Sequence, residues 1–221
     1  MNSKTFLHSP IAGSILALMI ALGSISPAQS RTRLDDVRDI VKKTKALYNS
    51  TTAAEVRFEQ AGANGSTSGT LTYSGGEKFR LELPKQTIVS DGVKTWTYSP
   101  DKKQVVISKA AGASGRLTPG EILTAFPGSY ATELVGEQTV NGRAVWVVRC
   151  TPGTGKKIGD VTRATLYIDK GTYRFQQVDI ESPTVGTVKL RITSAQYGVK
   201  VPETKFTFAP PQGVRVVDLS R

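Results

Sequence analysis

Histidine and cysteine occur once each in this 221-residue chain, as His8 and Cys150, and methionine only as Met1 and Met19. The N-terminal stretch accounts for most of this small inventory. Between Met1 and Ser30 the only charged residue is Lys4, an apolar run extends from Ile11 to Leu22, and small residues then lead to cleavage points after Ala28 or Ser30. That is the pattern of a secretory signal. A retained membrane anchor is the rival reading. The run is short for a span of roughly 20 residues, and it ends in Gly, Ser and Pro. Cleavage removes His8 and both methionines, leaving residues 31–221 as one expected domain.

A mature chain without histidine has no Ser-His or Cys-His nucleophilic pair and no histidine-ligated metal. With one cysteine it has no internal disulfide, so its stability rests on a packed core, which about 190 residues can build. Cys150 sits in the apolar run Ala144 to Cys150 and reads as a small buried apolar residue. The carboxylates Asp91, Asp169 and Asp179 remain, but the first two have turn roles, so neither an enzyme nor a metal site is expected. Thr151 to Asp160 is a Gly/Lys loop, and its GTGKK lacks the spacing and the Ser/Thr of a phosphate-binding loop. No cofactor is expected.

The chain is also short of acidic residues, with 29 Lys+Arg against 18 Asp+Glu, a formal charge of +11. Loss of Lys4 takes this from +11 to +10. Basic residues such as Lys78, Arg80, Arg163, Lys189 and Arg191 lie scattered on the polar side of alternating segments. They are not clustered or interleaved with aromatics, which argues against nucleic acid. A solvated basic face and attraction to an acidic lipid or partner both stand.

Alternation of apolar and polar residues dominates what is present. Ile88 to Pro100 predicts strand, Asp91-Gly92 turn and strand, with Trp96 and Tyr98 alternating with threonines. Similar patterns cover Val56–Phe58, Leu71–Tyr73, Phe79–Leu83 and Val105–Ile107. In the second half they cover Ala144–Cys150 after Asn141-Gly142, Ala164–Ile168, Phe175–Ile180, Val188–Ile192 and Lys205–Phe208. Gly62 to Gly69 reads as a loop, and Gly75-Gly76 as a turn. Ten or eleven strands against two or three helices predict a meandering antiparallel sheet that must curl.

Two helical patterns interrupt it. Thr32-Arg33-Leu34-Asp35 resembles a capping box, and Leu34, Val37, Val41 and Tyr48 then recur on one face of a helix over Leu34–Asn49. Thr118-Pro119-Gly120-Glu121 opens a short second helix carrying Ile122, Leu123 and Phe126. The expected inner sheet face holds Phe58, Tyr73, Phe79, Leu81, Leu83, Trp96, Tyr98, Leu166, Phe175 and Leu190. Two helices cover only part of such a face. Either the core is fully packed, or an apolar cavity remains for a greasy ligand.

Several stretches together resemble the periplasmic lipoprotein carrier family, LolA. They are the early helix, IVSDGVKTWTYSPDKKQV (Ile88 to Val105), LTPGEIL (Leu117 to Leu123), LYIDKGTYRFQQVDI (Leu166 to Ile180) and KFTFAPPQGVRVVD (Lys205 to Asp218). The resemblance implies an unclosed antiparallel β-barrel of about eleven strands under a helical lid. Acyl chains of lipoproteins would sit between barrel and lid, in contact with the apolar residues named above and with Leu34, Val37, Val41, Leu123 and Phe126. It implies a monomer in the periplasm, loaded by an ATP-driven inner-membrane (ABC-type) exporter and unloaded to an outer-membrane acceptor or to the membrane itself. Family members carry an Arg-Pro pair in the turn before the Phe-Arg strand, and that Arg holds the lid closed. Here Phe79-Arg80 match, but the pair is replaced by Gly75-Gly76. Arg80 would take over the lock only from a bulged strand, since alternation points it away from Phe79. A lipid or lipoprotein sensor and a glycolipid shuttle are the alternatives on the same half-barrel. The sensor reading calls for a second domain, which the sequence does not show after Asp218.

Overall fold

In the computed structural model, residues 27–63, 65–75, 78–110, 130–153 and 160–220 are described. Helix α1 (Pro27–Ser50) leads into β1 (Ala53–Gly62), β2 (Gly65–Ser74), β3 (Lys78–Leu83), β4 (Gln86–Asp91), β5 (Lys94–Ser99) and β6 (Gln104–Lys109). The second half contributes β7 (Tyr130–Val140), β8 (Arg143–Pro152), β9 (Arg163–Asp169), β10 (Phe175–Ser182), β11 (Gly186–Tyr197) and β12 (Arg215–Asp218). All twelve form one open curved sheet in the order β12-β6-β5-β4-β3-β2-β1-β11-β10-β9-β8-β7. Two antiparallel meanders, β1 to β6 and β7 to β11, are thus joined where β1 pairs with β11. The expected mainly β, unclosed architecture is present, with twelve strands rather than about eleven. β12 runs parallel to β6.

Local chemistry explains two of the hairpin turns. Asp91 Oδ1 accepts from the backbone N–H groups of Val93 and Lys94, each at 2.7 Å, and Gly92 takes φ 91°. Asn141 and Gly142 both have positive φ, 52° and 73°, the conformation a two-residue hairpin requires. The Asn141 side chain then reaches across to donate to the Ile192 carbonyl at 2.9 Å.

Three sequence expectations are corrected. The described helix already runs from Pro27, so Thr32 lies within it and does not cap it. Ala28, Gln29 and Arg31 are all compatible with helix. Most of the Gly62–Gly69 stretch is strand, because β1 and β2 stay paired as far as Gly62 and Gly65. Lys205–Phe208 is not a strand. Glu203–Phe206 forms a 3₁₀ turn after Pro202, closed by Lys205 N–H donating to the Pro202 carbonyl at 3.0 Å. The last strand is β12 instead. The signal segment before Pro27, the second helix at Thr118–Phe126 and the GTGKK lysines lie outside the described residues.

Both faces of the sheet are covered in part, by different elements. On one face, Val37, Ile40, Val41 and Tyr48 of α1 pack on Val148, Cys150, Ala164, Leu166, Ile168, Phe175, Val178 and Ile180. Tyr48 stacks on Phe175 with ring centres 4.8 Å apart, and its hydroxyl accepts from the Phe175 N–H at 2.9 Å. On the opposite face, the segment around Glu203–Phe206 lies over β3 and β4. Glu203 pairs with Lys78 at 2.8 Å, Phe206 is buried, and Phe208 packs on Tyr98 at 5.8 Å.

Two outcomes are expected. Burial pushes the Cys150 thiol up to about 12. Alkylation by iodoacetamide at pH 8 will be slower in the native protein than in urea by on the order of a thousandfold, from the thiolate fraction alone. Asp169 is buried, which by itself raises its pKa. Hydrogen bonds from the Thr172 hydroxyl and N–H and the Gly171 N–H, with Arg143 beyond, outweigh this and lower it overall. The stability it contributes is present above the unfolded value of about 3.9 and is lost as pH falls through the depressed native value. Asp169→Asn will therefore flatten the acid limb of the urea-midpoint profile.

Candidate functional site

Strand register decides which side chains share a face, because side chains alternate strictly along a strand. Val56 and Phe58 of β1 stand opposite Leu71 and Gly69 of β2. Leu71 and Tyr73 stand opposite Leu81 and Phe79 of β3, and Leu81 opposite Ile88 of β4. The same face continues through β11, where Phe58 faces Ile192 and Ala54 faces Tyr197, and on to Leu190, Val178 and Leu166. This is the face that α1 covers.

The face has two unequal parts. Beneath α1, Leu166 is fully buried and Phe175 nearly so, and Val37 and Val41 are buried against the sheet. These four expected ligand contacts form the packed core. Beyond α1, Ala54, Val56 and Leu71 make a second cluster, with Phe58, Tyr73, Phe79 and Leu81 only partly buried around it. Leu83 and Ile88 are also partly exposed there. Among the described residues, none from α1 belongs to this second cluster. The apolar surface over β1 to β4 is therefore distinct from the α1 core and is the candidate site. Leu190 is partly buried at the margin of the first cluster.

Gly69 makes the surface continuous. A Cβ there would fall 2.6 Å from Phe58 Cζ and 2.7 Å from Leu83 Cδ2. Only hydrogen at that position lets the two side chains close over the strand.

Trp96 and Tyr98 are corrected. Trp96 stands opposite Val89 and Ile107, and Tyr98 opposite Thr87 and Val105. In β4, Val89 and Thr87 alternate with Ile88, so both aromatics lie on the face opposite Phe79 and Leu81. The expectation failed because aromatics mark a covered face without saying which one. Here the segment bearing Phe206 and Phe208 covers the reverse side. Leu123 and Phe126 lie outside the described residues, as does the Leu34 side chain.

At the position of the family's lock, Gly75 N–H donates to the Thr52 carbonyl at 2.7 Å, and Gly76 is outside the described residues. Arg80 pairs with Glu82 at 2.9 Å on the reverse face, away from the apolar surface as alternation predicts. A groove of about 370 Å³ on that reverse face is lined by Gln138, Thr139, Tyr167, Gln177, Lys189 and Arg191, too polar for an acyl chain.

Sequence reasoning missed one group at the edge of the apolar surface. Arg174 lies with its guanidinium carbon 3.5 Å from the centre of the Tyr197 ring. Tyr73 and Tyr197 flank Ala54 from either side on the same face. The sequence carried no clear signal for it, since Arg174 is one of many scattered basic residues and only precedes β10.

Comparisons with known proteins agree with this architecture. The family model described as "Outer membrane lipoprotein carrier protein LolA" matches residues 49–209. The outer-membrane lipoprotein carrier protein of Dechloromonas aromatica is 29% identical, over 98% of this chain and 98% of its own. That of Chromobacterium violaceum is 27% identical, over 94% of this chain and 98% of its own. Among solved structures, an uncharacterised conserved protein from Thermus thermophilus shares the fold with a TM-score of 0.57 at 15% identity, covering 82% of this chain and 98% of that one.

The face assignment has a direct test. Phe79→Asp puts a charge onto the apolar surface and will weaken binding of a neutral apolar dye by tenfold or more, on the order of 1–3 kcal/mol. Trp96→Asp will leave dye affinity within about twofold, because its side chain is on the other face.

Proposed function

Because the chain belongs to the LolA family of outer-membrane lipoprotein carriers, which are binding proteins and not enzymes, we propose that it carries the acyl chains of lipoproteins on the apolar surface over β1 to β4. One observation carries the reading. Phe58, Phe79, Leu81, Leu83 and Ile88 share a face, stay partly exposed, and lie outside the cluster that α1 packs.

The energetics suit the task. Each methylene taken from water into an apolar site is worth about 0.8 kcal/mol, so a single long acyl chain represents on the order of 10 kcal/mol. A bare anchor does not cross an aqueous gap against that penalty. A carrier must offset most of it and still let go. A partly exposed patch fits release better than a sealed cavity does. The packed residues Val37, Val41, Leu166 and Phe175 give the face a rigid half beside the patch.

The setting follows from the same reading. The signal at the N-terminus is cleaved after Ala28 or Ser30, and residues 31–221 act as a monomer in the periplasm. No described helix is long and apolar enough to cross a membrane. Cargo arrives from an ABC-type exporter in the inner membrane. It leaves to an outer-membrane acceptor or to the membrane itself. Leu34, Leu123 and Phe126 complete the cargo contacts.

The purified protein, mixed with a triacylated peptide, will hold it in solution as a defined complex and surrender it to lipid vesicles. The same peptide without its acyl chains will not bind. If the acylated peptide pellets equally with and without protein, the carrier reading fails.

A further inference from the structure

The apolar surface ends, beside Ala54, in polar groups that lack partners. The Tyr73 hydroxyl and one guanidinium nitrogen of Arg174, Nη1, are both buried without a hydrogen-bond partner. A buried donor left unpaired carries a penalty, larger when it is charged, so such groups call for an explanation. Among the described residues no carboxylate pairs with Arg174. Its flat face is occupied by the Tyr197 ring, which leaves the nitrogen edge as the free binding element.

The surroundings hold both donors in place. Tyr173, the residue before Arg174, has φ 58°, a conformation uncommon for a bulky side chain. Its N–H is fixed to the Asp169 carbonyl at 2.8 Å, and the Arg174 carbonyl accepts from the Asp169 N–H at 2.8 Å. Burial, with the Tyr197 hydroxyl nearby and Arg174 opposing, raises the Tyr73 pKa to about 12, so its hydroxyl stays a proton donor at neutral pH. Tyr48, raised further by burial, also stays protonated and already accepts from the Phe175 N–H. Tyr73 and Tyr48 therefore supply no anion to the arginine.

We propose that Arg174 and Tyr73 recognise the anionic oxygen group at the head of an acyl ligand, a carboxylate or a phosphate, whose hydrocarbon lies over Phe79 and Leu81. This rests on the acyl-binding reading above and extends it to free acyl ligands with an anionic head, since lipoprotein chains are ester- or amide-linked and carry no such group. A guanidinium edge beside a phenol offers several donors and little acceptor capacity, and these match an anionic oxygen pair better than an ester or an alcohol. Tyr73 stands opposite Phe79 in the β2–β3 ladder, so head and chain would adjoin on one face.

The experiment uses displacement of the neutral dye N-phenyl-1-naphthylamine from the full protein by matched ligands. Palmitate against methyl palmitate tests the carboxylate. Dioctanoyl phosphatidate against dioctanoylglycerol tests the phosphate. The wild type will favour the anionic member of at least one pair by about tenfold, the scale of a charge-assisted hydrogen bond. Arg174→Met keeps an apolar stem over Tyr197 and will abolish that preference while leaving the neutral ligand within about twofold. Tyr73→Phe keeps the ring packing and will reduce the preference, which guards against a folding defect in the arginine variant. The pair that shows the preference identifies the headgroup. Equal binding of charged and neutral members by the wild type overturns the proposal and leaves acyl binding intact. A preference that persists in both variants overturns it too. Failure of every ligand to displace dye overturns the acyl-binding reading along with it.

Discussion

The ladder between β1 and β11 is the interaction on which the remainder depends. It runs from Ala54 opposite Tyr197 to Ala61 opposite Lys189, with one register shift beside Phe58. Each meander alone would present a modest apolar face with an open edge. Joined through this ladder, they share a single face wider than one helix can cover. α1 settles over the β7–β11 half, where Tyr48 anchors it to Phe175. The β1–β4 half is left with apolar side chains outside the cluster that the helix packs. Stability and the candidate site are thus two ends of one surface, divided near Tyr197, which packs against both clusters.

Division of labour along the face also explains the side-chain types. Under the helix the residues are fully buried and mostly branched aliphatics, such as Val148, Ile168 and Leu166. Over β1 to β4 they are long or aromatic and only partly covered, such as Phe58, Phe79 and Leu81. A packed core needs tight, low-entropy fillers, whereas a surface that meets different chains needs area and tolerance. Gly69 serves the second purpose by removing its own side chain from beneath Phe58 and Leu83.

Alternation made the strands readable, and with them the membership of Phe58, Tyr73, Phe79, Leu81 and Leu83 on one face. Turn chemistry at Asp91-Gly92 and Asn141-Gly142 located two hairpins for the same reason. The pattern was silent wherever a second cover existed. Trp96 and Tyr98 alternate as strongly as Phe79 and Leu81, yet register puts them on the reverse face, where Tyr98 meets Phe208. The period of two says that a face is buried and leaves open what buries it. Phe206 itself read as strand, because a 3₁₀ turn after Pro202 has no periodicity of its own. Arg174 was invisible for a different reason. Its significance lies in missing partners, and these show only once Tyr73 and Tyr197 are brought beside it across distant strands.

The placement of β12 has a consequence for how the molecule assembles. Val105 pairs with Val216, about 110 residues later in the chain, and Phe206 seals the reverse face of strands made far earlier. These pairings give the sheet a high contact order, which slows folding because long loops must close before the contacts reward them. The first meander is complete only once β12 and the Glu203–Phe206 turn have been made, since these supply its last edge strand and part of its reverse cover. Such a topology delays completion of the first meander until the second has also been synthesised.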